Sequence, residues 1–90
     1  MRRDDTNPAD PEILALAALG WTLSDEARAQ RLLALTGLDP GALRERLGDS
    51  GLLASVLSFL EAHEPDLLAA AQALGVSPAE FAEARRSLEA

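Results

Sequence analysis

The turn Glu61-Ala62-His63-Glu64-Pro65-Asp66 brings the chain's only histidine together with three carboxylates. Carboxylates beside an imidazole can hold a divalent cation or exchange protons with a substrate. Spacing works against both uses. His63 and Glu64 are neighbours in sequence and point apart on a helix. Pro65 marks the stretch as a solvated connection between helices, and no second histidine or distant acidic cluster completes a ligand set. Ser55 and Ser58 could act as nucleophiles only with a base beside them, and no Gly-x-Ser-x-Gly elbow surrounds either. Glycine-rich phosphate loops are absent, and with no cysteine there is no thiolate nucleophile or thiolate metal site. The expectation is therefore a protein that is not an enzyme and carries no cofactor or metal. A metal-binding enzyme built on His63 ranks behind the other readings.

A second pattern concerns recognition. Ala71, Leu74, Gly75, Val76 and Phe81 occupy the positions where a helix-turn-helix places a small residue, an apolar residue, the turn glycine and two core residues. A DNA-reading second helix also needs basic or amide side chains on its leading face. Here that helix begins Ser77-Pro78-Ala79, and Glu80, Glu83 and Glu89 offset Arg85 and Arg86. Phosphate contact dominates affinity for DNA, and a net charge of −7 forfeits it. DNA-associated regulation through residues 66–88 is thus the alternative reading, and nucleic acid is disfavoured as a partner.

Protein contact remains. Trp21 is the single tryptophan. At the end of a helix it is most often a core or core-edge residue, and when exposed it makes a strong interface anchor. Trp21, Arg85 and Arg86 are the candidate interface residues, toward an unidentified protein partner or a second copy.

The elements that must position these residues follow from composition and caps. Eighteen leucines and eighteen alanines in 90 residues, with few β-branched side chains, favour helix and give strands almost no support. Asp10-Pro11 opens a first helix running to Leu23; its apolar residues Ile13, Leu14, Leu16, Ala17, Leu19 and Trp21 cover most of its circumference and predict heavy burial. Ser24 and Asp25 cap a second helix ending at Thr36, with Leu32, Leu33 and Leu35 inward and Arg28 and Arg31 in solvent. Asp39-Pro40 starts a short third helix with Leu43 and Leu47 inward. Asp49 or Ser50 starts a fourth, whose Leu52, Leu53, Val56, Leu57 and Leu60 form a buried stripe. Glu64-Pro65-Asp66 opens a fifth helix that Gly75 ends. Ser77-Pro78-Ala79-Glu80 is a capping box for the last, with Phe81, Ala84 and Leu88 inward.

The fold class expected is all-α: a compact bundle of five to six short helices with helix-turn-helix-like corners. Residues 1–9 form a flexible segment ahead of a single helical domain, 10–90. The joints Gly37-Leu38-Asp39-Pro40 and Gly75-Val76-Ser77-Pro78 align with each other; duplication and convergence on one turn chemistry both explain the match. Asp4, Asp5, Asp10 and Glu12 interrupt what would otherwise mimic an export signal after Arg2-Arg3, and no apolar run is long enough to cross a bilayer. With no disulfides available, a cytoplasmic location without membrane attachment is expected.

The succession Leu33-Ala34-Leu35-Thr36-Gly37-Leu38-Asp39-Pro40, then Val56-Leu57-Ser58-Phe59-Leu60 with Glu64 and Leu67-Leu68, then Gly75-Val76-Ser77-Pro78 and Ala84-Arg85, resembles a known family. It is similar to the small alphaproteobacterial all-helical proteins catalogued as a domain of unknown function, DUF3572. The resemblance runs from Ile13 to Leu88 and rests on caps and core positions. It implies a bacterial cytoplasmic protein made of this domain alone, and it carries over no site residue. The turn Ala62-His63-Glu64-Pro65 departs from the family's acidic, less proline-rich turn, which further weakens a metal site at His63. The function expected on balance is a protein–protein interaction module, acting as an adaptor or regulator.

Overall fold

The computed structural model describes residues 10–90, so the segment expected to be flexible, 1–9, lies outside the described residues. Six helices follow one another: α1 (Pro11–Leu23), α2 (Glu26–Thr36), α3 (Pro40–Glu45), α4 (Ser50–Glu61), α5 (Glu64–Leu74) and α6 (Pro78–Glu89). There is no strand among the described residues, and no helix there is long and apolar enough to cross a membrane.

Caps set these boundaries. The carboxylate of Asp10 accepts from the N–H groups of Glu12 and Ile13, Asp25 from Arg28, Asp39 from Ala42, and Asp49 from Gly51 and Leu52. Each satisfies donors that a helix start leaves without partners. Ser77 and Glu80 close the expected capping box: the Ser77 N–H donates to Glu80 Oε2 at 2.7 Å, and the Glu80 N–H donates to Ser77 Oγ at 3.3 Å. Only α5 starts without a side-chain cap, because His63 at that position makes no such bond.

α4 is the central element, with α1, α2, α5 and α6 packed around it. Leu52, Leu53, Val56, Leu57 and Leu60 are buried as the apolar stripe requires, and Ala54 and Phe59 widen that face. α6 supplies Phe81 and Ala84, while α1 supplies Leu14, Ala15, Ala18 and Leu19. The three helices α1, α4 and α6 pack mutually, so small residues such as Ala15, Ala18 and Ala84 lie where backbones must approach. Each fully buried leucine contributes roughly 1.5–3 kcal/mol by leaving water.

Three apolar placements differ from the sequence reading. α1 buries one face only: Leu16 is 41% exposed, and Ala17 and Gly20 face solvent. Apolar character around a whole helix reflected its alanine content, which tolerates exposure, more than contact on every side. Leu35 on α2 is 63% exposed instead of inward, because it falls off the Leu32 face that meets α1 and α4. Leu47 lies beyond the end of α3 and is exposed rather than inward.

The two joints share a backbone course but not a hydrogen-bond scheme. Gly37 and Gly75 both adopt the left-handed conformation, with φ of 73° and 72°. At the second joint the Val76 N–H donates to Ala71 O and the Gly75 N–H to Gln72 O, a complete Schellman pair. At the first, Gly37 alone reaches back, donating to Leu33 O at 2.8 Å, while the Leu38 N–H turns to Thr36 Oγ1. The threonine hydroxyl diverts the donor that would close the outer bond. The first joint is the simpler left-handed cap.

These glycines define a test with two opposite signs. A side chain at Gly75 takes on left-handed strain, so Gly75→Ala is expected to destabilise by about 1 kcal/mol. Gly20 is helical and a Cβ there meets nothing within 4 Å. Gly20→Ala is expected to stabilise by about 0.5–1 kcal/mol. Urea unfolding midpoints of the two variants check both.

Acid provides a second test. The Asp49 carboxyl is held below its ordinary range, first by the hydrogen bond from Arg46 and then by the Gly51 and Leu52 N–H groups. A group whose pKa is depressed on folding stabilises above its unfolded pKa and loses that effect as pH falls through the folded value. Stability should therefore drop on the acid side of the normal carboxylate range, and Asp49→Asn should lessen that dependence in urea melts run from neutral to strongly acid pH.

Candidate interaction surface

Trp21 sits half-buried at the last turn of α1, packed against the core. The Arg28 guanidinium lies 3.7 Å from the ring centre and donates to Trp21 O at 2.9 Å and to Ser24 Oγ at 3.2 Å. One side chain thus covers an indole face and satisfies a carbonyl at a helix C-terminus, where positive charge is favoured. Arg28 is half-buried, not in solvent as its position on α2 implied, and its Nε is buried without an acceptor among the described residues. The sequence offered no sign of this clamp, since Trp21 and Arg28 stand on different helices; the turn at Ser24 brings them together.

Arg85 is taken up by structure. Its Nε donates to Glu61 Oε1 at 2.6 Å, tying α6 to the end of α4, and its Nη1 donates to Glu89 at 3.0 Å. The Arg85 pKa is raised further, foremost by its hydrogen bond to Glu61. Arg86 faces solvent and has no ion partner among the described residues. Arg31, placed in solvent by the sequence reading, is exposed but bridges α2 to α5 through Asp66 at 2.8 Å.

That bridge bears on the histidine. His63 Nε2 is 4.0 Å from Asp66 Oδ2, the same oxygen Arg31 already engages. A cation shared between His63 and that oxygen would compete with the guanidinium. Among the described residues, no three histidine, aspartate or glutamate side chains converge as a ligand set.

The α5–α6 corner carries the residues of the second sequence pattern. Ala71 and Phe81 are buried and Val76 is half-buried. The surface of α6 offers Ala79, Glu83, Arg86 and Ser87 to solvent, and a small recess of about 140 Å³ beside it is walled by Glu80 and Glu83.

A different place stands out, one that sequence reasoning missed. The end of α1, one side of α2 and the α3 segment enclose a groove of about 270 Å³ lined by Leu23, Ala29, Leu33, Pro40, Leu43, Arg44 and Leu47. Leu23 is 41% and Leu47 36% exposed, while Leu43 is buried at the floor. Leu33 stands at the joint position that Ala71 fills in the second half, and its larger side chain forms part of the wall. A wider and more open depression of about 440 Å³ lies between α2 and α4, lined by Arg31, Leu35, Ser58, Phe59, Ala62 and His63. Neither hollow is lined by Trp21, Arg85 or Arg86. The nearest sequence signal for the groove was the bulky Leu33 in place of a small residue.

Fold and surface define a small all-helical bundle with an aliphatic groove. The family described as Protein of unknown function (DUF3572) matches residues 8–90, and the chain belongs to it. No curated protein and no solved structure matches the chain.

The Arg28 clamp carries its own expectation. Arg28→Ala should destabilise the fold by about 1 kcal/mol, in keeping with a partly desolvated cation–π contact. It should also shift the emission of the single tryptophan in the folded state. Guanidinium unfolding followed by that emission measures both.

Proposed function

We propose that this protein is a cytoplasmic protein–protein interaction module, an adaptor or regulator and not an enzyme, which receives its partner in the α1–α2–α3 groove. The observation that carries this reading is the aliphatic lining with two half-exposed leucines at its edges. Solvent-exposed apolar side chains gathered in a recess lower the free energy of association when covered, whereas scattered ones do not. At about 270 Å³ the groove is smaller than the roughly 300–1,000 Å³ of typical small-molecule sites and lacks convergent polar groups to orient a substrate. The cysteine-free composition supports the cytoplasmic placement. Among the first interface candidates, Arg86 remains available to a partner, while Trp21 and Arg85 serve the fold before any interface.

The alternative, DNA-associated regulation through residues 66–88, draws its support from the buried Ala71 and Phe81 at the α5–α6 corner. Seven carboxylates against two arginines between Asp49 and Ala90 weigh against it. Retention on heparin or DNA at low salt that weakens steeply as salt rises would favour that reading. A metal-binding enzyme would be supported by bound metal that survives dialysis and is lost in His63→Ala.

Capture from the native lysate tests the interaction reading. The tagged protein should retain a stoichiometric partner that Leu23→Glu and Leu47→Glu release and that Leu68→Glu, outside the groove, keeps. Equal retention by all four proteins, or no partner and no self-association, would sink it.

A further inference from the structure

We infer that the occupant of the groove is an amphipathic helix of another protein, with aliphatic anchors on one face and carboxylates along its edge. This rests on the groove being the interaction site. The kind of occupant follows from the chemistry of the walls. Among the described residues no strand edge is present for an extended peptide to join, and the lining holds no aromatic side chain of the sort that grips polyproline segments. Leucine, alanine and proline walls between helices suit the remaining common mode, in which a helix lays residues at i, i+4 and i+7 into an apolar trough.

Charge then selects among helices. Arg44 is the only charged residue lining the groove, it is exposed, and it has no ion partner among the described residues. The nearby Arg46 is already committed to Asp49 at 2.7 Å. The groove also stands on the least acidic stretch of the chain: between Ser24 and Gly48 four arginines balance four carboxylates. Arg44 is thus the one lining charge left without an ion partner among the described residues, and it calls for a carboxylate. A second copy fits poorly, because a symmetric contact turns this Arg44-bearing surface on itself with no carboxylate lining it.

Synthetic helices of about five turns, with leucines at i, i+4 and i+7, supply the probes. One carries glutamates along the edge of the leucine face, and the other carries arginines there. Fluorescence anisotropy with the full chain should show the glutamate peptide binding at least about fivefold more tightly, with the gap shrinking as salt rises. Arg44→Glu should reverse that order. Leu47→Glu should weaken both peptides by more than about tenfold, with helicity and tryptophan emission confirming a folded variant. Equal binding of the two peptides, or an order that survives Arg44→Glu, overturns the acidic-edge assignment while leaving the groove as the docking site. A dimer in sedimentation equilibrium that Leu47→Glu dissociates, with neither peptide bound, makes the occupant a second copy. That result overturns this inference and leaves the interaction reading intact. Neither peptide bound and no dimer also overturns it, and the lysate capture then judges the broader reading separately.

Discussion

None of the six helices among the described residues is long enough to hold itself together. They run from six residues in α3 to 13 in α1, at or below the length at which isolated helices become marginal in water. Their stability has to come from burying a face, and α4 is where the faces meet. Leu57, Leu60 and Val56 have no solvent exposure, and neither does Phe81 arriving from α6. The caps and ion pairs described above set where elements begin and how they join. They matter because each helix has so few turns that one unsatisfied end is a large fraction of it.

This dependence on α4 is unequal along the chain. α1 and α6 pack both on α4 and on each other, and α5 meets all three. α2 reaches the core mainly through Leu32, and α3 through Leu43 alone. The N-terminal joint thus carries a lighter version of the C-terminal corner, with one capping bond in place of the Schellman pair and an aspartate cap without a reciprocal glutamate. Space left under that lighter corner is the groove. Architecture that closes the second half over Phe81 leaves the first half open over Leu43.

Much of this was legible in the residues themselves. Helix starts at Asp10, Asp25, Asp39, Asp49 and Ser77, and stops at Gly37 and Gly75, are local decisions made by side chains within four positions of the backbone they satisfy. The α4 stripe was readable because its leucines recur at helical spacing. Leu35, Leu47 and the exposed side of α1 were misplaced for the opposite reason: which apolar face is covered depends on what packs there, and α2 and α3 have too few partners to cover all of theirs. The Arg28–Trp21 clamp and the groove both depend on how one helix turns back on another. Trp21, Arg85 and Arg86 drew notice by residue type, yet two of them are bound up in holding helices together.

One consequence follows from α3 having a single anchor. A segment pinned by one buried leucine opens at a free energy well below that of the whole fold, so its amides should be among the first of the helical ones to exchange with solvent. Leu43 is also the floor of the groove. Whatever occupies that groove closes over the side chain whose withdrawal frees α3, and occupancy and local order then rise together as linked equilibria. The corner with the fewest contacts is thereby the one whose firmness is set by its surroundings instead of by its own sequence.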